Sequence, residues 1–364
     1  MYPLSDGMFA PLNQWYVAAW STEVVRTPLA RDLLNEPVVF FRTEQGIPVA
    51  LGGRCPHRHF PLGKGTVLGD SIECGYHGIR FGVDGKATYI PSQVAIPPAC
   101  RVRCYPVAER WKWLWIWMGD PLLADESLIP DHDEIGLTDP NFDAVGEIYY
   151  SVPGRYMLMH DNLFDLTHLN VLHRSSIGAG NIADAKENRT QGENWISSDR
   201  ELKEVECPPF FGGVFSYSEK IDRAFGMKLY LPCLHVGYDR FVRAESASER
   251  PGQPLGQIKV FHAITPASSH TAHYFHAMSR NFKRNDEAYG RALIEGVLPT
   301  LDEDMFATGE IEKMLGRFER IPQEILLRSD STCVNGRRLF EAMIRRDAKA
   351  NPNPSVVTDR TTVE

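Results

Sequence analysis

The sequence lacks a long hydrophobic run, a basic block, a secretory leader and a cysteine framework, and each absence removes a class of protein. No apolar stretch reaches the roughly 18–20 residues that a transmembrane helix needs, so no membrane partner is expected. The opening stretch MYPLSDGMFAPLNQWYVAAW has no basic n-region and no long apolar h-region, so no targeting segment is expected. Lys and Arg total 39 against 47 Asp and Glu, a net charge of −8, which disfavours a nucleic-acid partner. Seven cysteines is an odd number in a long chain, so a disulfide scaffold is not expected and the thiols are free for metal. These absences together predict a soluble protein of the reducing cytoplasm.

What is present is globular. Hydrophobic residues make up 43% and charged residues 24%, which excludes a wholly disordered chain. At roughly 100–200 residues per domain, the 364 residues predict two or three domains. The first third reads as strands and tight turns. Val38–Arg42 and Ile47–Leu51 are β-rich runs closed by polar or glycine segments, and Gly78–Gly82 runs into a hairpin signal at Asp84-Gly85. Trp111–Met118 reads W-K-W-L-W-I-W-M, with Trp at period 2, and predicts a core strand. Residues 119–145 are rich in Pro and Asp and predict a linker. Helical spacing follows over Tyr156–His173. Short β-like runs such as Gly213–Tyr217 and Gln257–Phe261 come next, and helical spacing returns after Asn285. The predicted organisation is one domain over 12–118, a second over 119–345 and a polar tail over 346–364.

Two clusters of metal-capable residues stand out. Cys55-Pro56-His57 is followed after sixteen residues by Cys74-Gly75-Tyr76-His77. Two short loops, each offering one thiolate and one imidazole, fit a tetrahedral zinc or a Rieske [2Fe–2S] cluster with both thiolates on one iron and both imidazoles on the other. Common zinc patterns pair Cys with Cys and His with His, so the mixed C-x-H and C-x-x-H loops favour the cluster. His59 reads as a loop residue, because that four-ligand set is already full.

The second cluster is Asp161-Asn162-Leu163-Phe164-Asp165-Leu166-Thr167-His168, continuing to His173. Asp165 and His168 are three apart and would share a helix face, where a carboxylate can hold an imidazole tautomer. His168 and His173 are five apart, so a regular helix would point them about 140° away from each other. Binding one metal therefore requires the helix to loosen, end or bulge between them. Two histidines and a carboxylate form the facial triad of mononuclear non-haem Fe(II). Asp161 and Asp165 are better placed to orient the histidines than to complete the triad, and the acidic run Asp302-Glu303-Asp304 offers other carboxylates. Gly178–Ala183 fits G-x-G-x-x-A but follows a predicted helix rather than a strand, so it reads as a loop. With no nucleotide site of its own, the chain must receive electrons from another protein. Cys100, Cys104, Cys207, Cys233 and Cys333 read as packing thiols. His132, His160, His235, His270, His273 and His276 receive no role.

The motifs C-P-H-R-H, C-G-Y-H-G and D-N-L-F-D-L-T-H-L-N-V-L-H resemble those of the Rieske non-haem iron oxygenases. The loops lack the second cysteine of the respiratory Rieske proteins. The opening W-Y-V-A-A-W, His262-Ala263-Ile264-Thr265-Pro266 and Ser279-Arg280-Asn281-Phe282 are similar to the aromatic O-demethylase branch, such as vanillate O-demethylase and dicamba monooxygenase.

The resemblance implies an α+β chain, with an all-β Rieske domain followed by a helix-grip, START-like catalytic domain with a curved antiparallel sheet. It implies Cys55, His57, Cys74 and His77 on the cluster, and His168, His173 and Asp304 on mononuclear Fe(II), with Asp302 as the fallback. It gives Asp165 the role of bridging electron transfer to His77 of a neighbouring subunit in a head-to-tail homotrimer. Asn162 is placed near the iron, and His262 beside an aromatic acid substrate. The implied activity is O2-dependent O-demethylation of a methoxyaryl acid with release of formaldehyde. NAD(P)H acts indirectly through a reductase, with a ferredoxin as a further possible partner. Ring hydroxylation or N-demethylation by the same centre is the enzyme alternative, and a plain Rieske electron-transfer protein is the non-enzyme alternative. His160, where an apolar residue is usual, and Glu295, where the dicamba enzyme has an aromatic, depart from the family pattern.

Overall fold

The computed structural model describes residues 2–131, 136–180 and 182–350. The chain divides into two compact units, one of residues 10–129 with 265–269, the other of residues 2–9, 130–264 and 270–350.

The first unit is all β apart from short 3-10 turns. Its strands are β1 (Trp15–Trp20), β2 (Leu29–Leu33), β3 (Glu36–Arg42), β4 (Pro48–Gly52), β5 (Thr66–Leu68), β6 (Ser71–Glu73), β7 (Arg80–Phe81), β8 (Ala87–Tyr89), β9 (Cys104–Tyr105), β10 (Val107–Arg110) and β11 (Trp113–Trp117). They form three small sheets ordered β1-β11-β10, β2-β3-β4-β9 and β5-β6-β7-β8. The tryptophan stripe is core, as its period suggested. All five residues of β11 are buried, and so are all six of β1. Register pairs Trp15 with Trp117 and Trp20 with Trp113, with ring centroids 5.5 and 5.4 Å apart. Each such aromatic pair adds about 0.5–1.5 kcal/mol beyond its burial. Trp111 and Lys112, at the head of the predicted run, are instead a two-residue turn with both φ positive, the geometry that matches strand twist in a hairpin.

The second unit mixes helix and sheet. It contains β12 (Asp143–Val152), α1 (Tyr156–Phe164), β13 (Asn188–Gln191), β14 (Trp195–Val205), α2 (Pro209–Phe215), β15 (Ile221–Tyr230), β16 (Leu234–Arg243), β17 (Pro254–Pro266), β18 (Ala272–Arg280), α3 (Glu287–Leu315) and α4 (Ser331–Ala350). The sheet is large, curved and antiparallel, ordered β12-β18-β17-β16-β15-β14-β13. The long helix α3 packs on β12. At their contact a Cβ on Gly290 would meet Val145 Cγ1 at 2.9 Å, so glycine sets how closely helix and sheet approach.

Three expectations need correction. Gly213–Tyr217 is not a strand; Gly213, Val214 and Phe215 close α2. Pro209 opens that helix at its first turn, where the missing N–H costs nothing, and Ser216 ends it in the left-handed conformation. The helix over Tyr156–His173 stops at Phe164. The linker over 119–145 contains short 3-10 turns and the first residues of β12. Residues 346–350 continue α4, while the rest of the expected polar tail, residues 351–364, lies outside the described residues, as do His132 and Asn181.

Candidate metal centres

The two cysteine–histidine loops are built to one pattern. Cys55 N–H donates to Phe60 O at 3.0 Å and Cys74 N–H to Ile79 O at 2.8 Å. His59 N–H donates to Cys55 O and Gly78 N–H to Cys74 O, both at 2.9 Å. The fourth residue after each cysteine has positive φ, +58° at His59 and +70° at Gly78. His59 is therefore the counterpart of a turn glycine, which accounts for it without a ligand role. Both cysteines are 1% exposed and join a core with Phe41, Leu62 and Phe81. Burial pushes the Cys55 thiol up to about 11, and the adjacent Cys74 thiol adds to the rise. A bound cation relieves that penalty by taking the thiolate. His57 and His77 are exposed, with ring centroids 4.6 Å apart. These four donors do not gather within 4.8 Å of one another, as the ligands of a single tetrahedral zinc must. Paired buried thiolates and paired exposed imidazoles fit a two-iron cluster instead.

In the second unit one set of three donors does gather. His168, His173 and Asp304 place their ligand atoms within 4.8 Å of one another, the one such group among the described residues. The local fold explains how histidines five apart converge. Helix α1 ends at Asp165, whose φ of −87° and ψ of 80° leave the helical region, and Leu166–Asn170 continues as a 3-10 helix. Asp304 reaches the site from α3. The buried positions of that helix, which include Leu293, Val297, Leu301, Asp304, Met305 and Thr308, follow a 3.6-residue stripe, and Asp304 lies on it. Asp302 is exposed and accepts from Tyr150 Oη at 2.8 Å, away from the histidines.

Each imidazole is held from behind. His168 Nδ1 is 2.5 Å from the Asp165 carbonyl oxygen, and His173 Nδ1 is 2.6 Å from Glu303 Oε2. Their Nε2 atoms lie 3.7 and 3.0 Å from Asp304 Oδ1, which also accepts from Asn162 Nδ2 at 2.9 Å. Burial lowers the pKa of His168, with Asp304 opposing. At His173 burial acts the same way, but Asp304 and Glu303 outweigh it and raise the pKa. Outer partners of this kind fix tautomer and ring angle at metal sites. Two imidazole nitrogens and one buried carboxylate, with the other ring nitrogens already engaged, suit a mononuclear iron site with open positions.

The carboxylates expected to orient the rings do other work. The Asp165 carboxylate accepts from Thr167 N and Oγ1 at 3.1 and 2.6 Å, so its backbone, not its side chain, holds His168. Asp161 pairs with Arg337 at 2.6 Å. Glu303 takes the orienting role for His173, which sequence reasoning missed. The signal was its place beside Asp304. A cavity of about 110 Å³ borders His168, His173 and Asp304 and is also lined by His262 and His276. It approaches the ~150 Å³ of an apolar cavity that admits benzene.

Comparison with known proteins agrees with this division. Residues 14–106 match the Rieske [2Fe-2S] domain, and residues 152–346 match the vanillate O-demethylase oxygenase C-terminal domain. An iron-sulfur subunit of the toluene-4-sulfonate monooxygenase system from Comamonas testosteroni is 34% identical over 350 residues, covering 92% of this chain and 97% of the relative. A vanillate O-demethylase oxygenase subunit from a Pseudomonas species is 32% identical over 349 residues, covering 93% and 96%. The crystal structure of dicamba monooxygenase bound to 3,6-dichlorosalicylic acid superposes with a TM-score of 0.84 at 27% identity, covering 93% of this chain and 98% of that one. The chain belongs to the Rieske non-haem iron oxygenases, as an oxygenase component homologous to the vanillate and dicamba O-demethylases. No helix among the described residues is long and apolar enough to cross a membrane.

Proposed function

We propose that this chain is the terminal oxygenase component of a Rieske system that O-demethylates a methoxyaryl acid. The observation that carries the reading is the small cavity bordered at once by His168, His173 and Asp304. Cys55, His57, Cys74 and His77 would hold the [2Fe–2S] cluster, and His168, His173 and Asp304 would hold Fe(II). When bound, these groups supply electron delivery and O2 activation. The protein's part is binding, orientation and exclusion of water. Leu163, Phe211, Phe225, Val260 and Met278 line the cavity and give an aromatic ring an apolar seat. Glu303 and the Asp165 carbonyl keep both Nε2 atoms turned toward Asp304.

The balanced reaction takes methoxyarene, O2, two electrons and two protons to a phenol, formaldehyde and water. The methoxy carbon is hydroxylated, and the hemiacetal collapses to the two organic products.

The reading includes domains of 12–118 and 119–345, a homotrimer in which Asp165 faces His77 of a neighbouring subunit, a cytoplasmic location, and a reductase drawing on NAD(P)H, with or without a ferredoxin. Asp165 supports the bridging role through position, since its backbone oxygen contacts His168 and it is half-buried. His262 supports the substrate role by lining the cavity.

The toluene-4-sulfonate monooxygenase relatives favour one second reading, monooxygenation of an aromatic acid on the ring or on an alkyl substituent. Turnover of methoxylated and methylated aromatic acids with a reductase separates the two. Formaldehyde and a phenol with no added ring oxygen support demethylation, and ring-hydroxylated or benzylic products with every methoxy group retained overturn it.

A further inference from the structure

The cavity holds a polar cluster that neither metal centre uses. The Tyr274 hydroxyl lies 2.6 Å from His262 Nδ1 and 3.4 Å from His276 Nδ1, and the two Nδ1 atoms are 3.3 Å apart. His262 and His276 both line the cavity. His276 is 1% exposed, and its Nε2 is buried with no partner among the described residues. A buried polar atom without a partner costs free energy that a ligand can recover. Among the described residues, the one cation of that wall, Arg223, is already engaged. Arg223 forks onto Asp239 at 2.6 and 3.0 Å and spends its remaining nitrogen on Ile177 O at 2.9 Å.

Proton counting then restricts what the imidazoles offer. Burial holds both imidazoles neutral, with His276 lowered to about 3 and His262 well below its ordinary value, and it keeps the Tyr274 hydroxyl protonated. Each neutral ring carries one N–H. If Tyr274 donates to His262 Nδ1, the His262 proton sits on Nε2, and His276 Nδ1–H completes the cluster, leaving His276 Nε2 an acceptor. If His262 Nδ1–H donates to Tyr274, the hydroxyl donates on to His276 Nδ1, and the two Nε2 roles exchange. Either arrangement presents one donor and one acceptor.

We propose that His276 is a specificity-determining residue, joined to His262 through the Tyr274 hydroxyl so that the pair selects a substrate bearing a free ring hydroxyl over its methyl ether. A hydroxyl both donates and accepts, whereas an ether only accepts and leaves one imidazole nitrogen unpaired. The proposal rests on the oxygenase reading for the kind of molecule bound, but not for the reaction performed.

The test is binding, measured calorimetrically without reductant on the metal-loaded protein. The probes are hydroxy-methoxybenzoate isomers and their dimethoxybenzoate counterparts. The unaltered protein binds at least one hydroxy isomer about tenfold or more tightly than its dimethoxy counterpart, the scale set by one unpaired buried polar group. His276→Phe collapses that ratio to under about threefold, mainly by weakening the hydroxy probe. Tyr274→Phe keeps both imidazoles but frees their tautomers, and it lowers the ratio too. His276→Gln, whose amide keeps a donor and an acceptor, restores part of it. An unchanged Rieske spectrum and iron content certify each variant as folded. A ratio under about threefold in the unaltered protein, or a ratio that survives His276→Phe or Tyr274→Phe, overturns the proposal. A preserved binding ratio with no formaldehyde from any probe defeats the demethylase reading and leaves this one standing.

Discussion

Cys55, His57, Cys74 and His77 come from two short loops, whereas His168, His173 and Asp304 come from segments more than a hundred residues apart. The loop donors divide into two buried thiols and two exposed imidazoles. The second set is half-buried at His168 and buried at His173 and Asp304. In the loops, backbone hydrogen bonds repeated at each cysteine set the geometry. In the second site, side chains set it, through Glu303 behind His173 and Asn162 beside Asp304. A loop centre is specified by spacing, so sequence reveals it. A centre assembled between a 3-10 turn and a distant helix is specified by packing, which leaves a fainter trace.

Removing a buried thiol from the loop centre has the largest expected effect. Cys74→Ser loses the Rieske absorption and EPR signals and all turnover, because the hard hydroxyl is a poor substitute for a soft thiolate. If the cluster signal survives intact, the assignment of Cys74 fails. A smaller effect tests the side-chain scaffold of the other site. Glu303→Gln weakens binding of the mononuclear iron by about 10–100-fold, as measured by competition with a chelator, while the Rieske spectrum is unchanged. Asp302→Asn, one position away and bonded to Tyr150, leaves that affinity unaltered. Equal effects of the two would remove the distinction drawn between them.

Asn162→Ala deletes the 2.9 Å bond to Asp304 and costs less than loss of Glu303, about one net hydrogen bond or 0.5–1.5 kcal/mol, because Asp304 Oδ1 keeps its second partner in His173. Its readout is the pH dependence of iron binding together with iron affinity. The smallest effect is expected at His59. His59→Gly changes stability by no more than about 1–2 kcal/mol, because relief of the left-handed strain offsets the greater freedom of glycine. The cluster spectrum stays as it was, and its loss would make His59 more than a turn residue.

The legibility of the sequence follows the same contrast. Tryptophan at period 2 identified β11, and the late apolar spacing identified α3, because each burial pattern repeats within its own element. The run Gly213–Tyr217 misled because its apolar residues suit either a strand or a short helix, and Pro209 decides for the helix. The five-residue gap between His168 and His173 required the helix to loosen or end between them, and the structure ends it at Asn170, where the 3-10 helix that follows the break at Asp165 stops. The stripe of Val297, Leu301, Asp304 and Thr308 marks Asp304 as a carboxylate on a buried face, while Asp302 falls off it. Glu303 leaves one trace, its place beside Asp304, whereas Tyr274 and His276 meet His262 from a neighbouring strand of the sheet, and no local spacing announces that cluster.

The central claim is that two separate iron centres share this chain. Iron analysis with EPR on the unaltered protein and on Asp304→Ala, alongside turnover, tests it most directly. The account predicts about three irons per chain falling to about two, with an unchanged Rieske signal and turnover abolished, since two irons belong to the cluster and one to the triad. Full turnover with about two irons per chain, or an Asp304→Ala protein that keeps all its iron and activity, would contradict it.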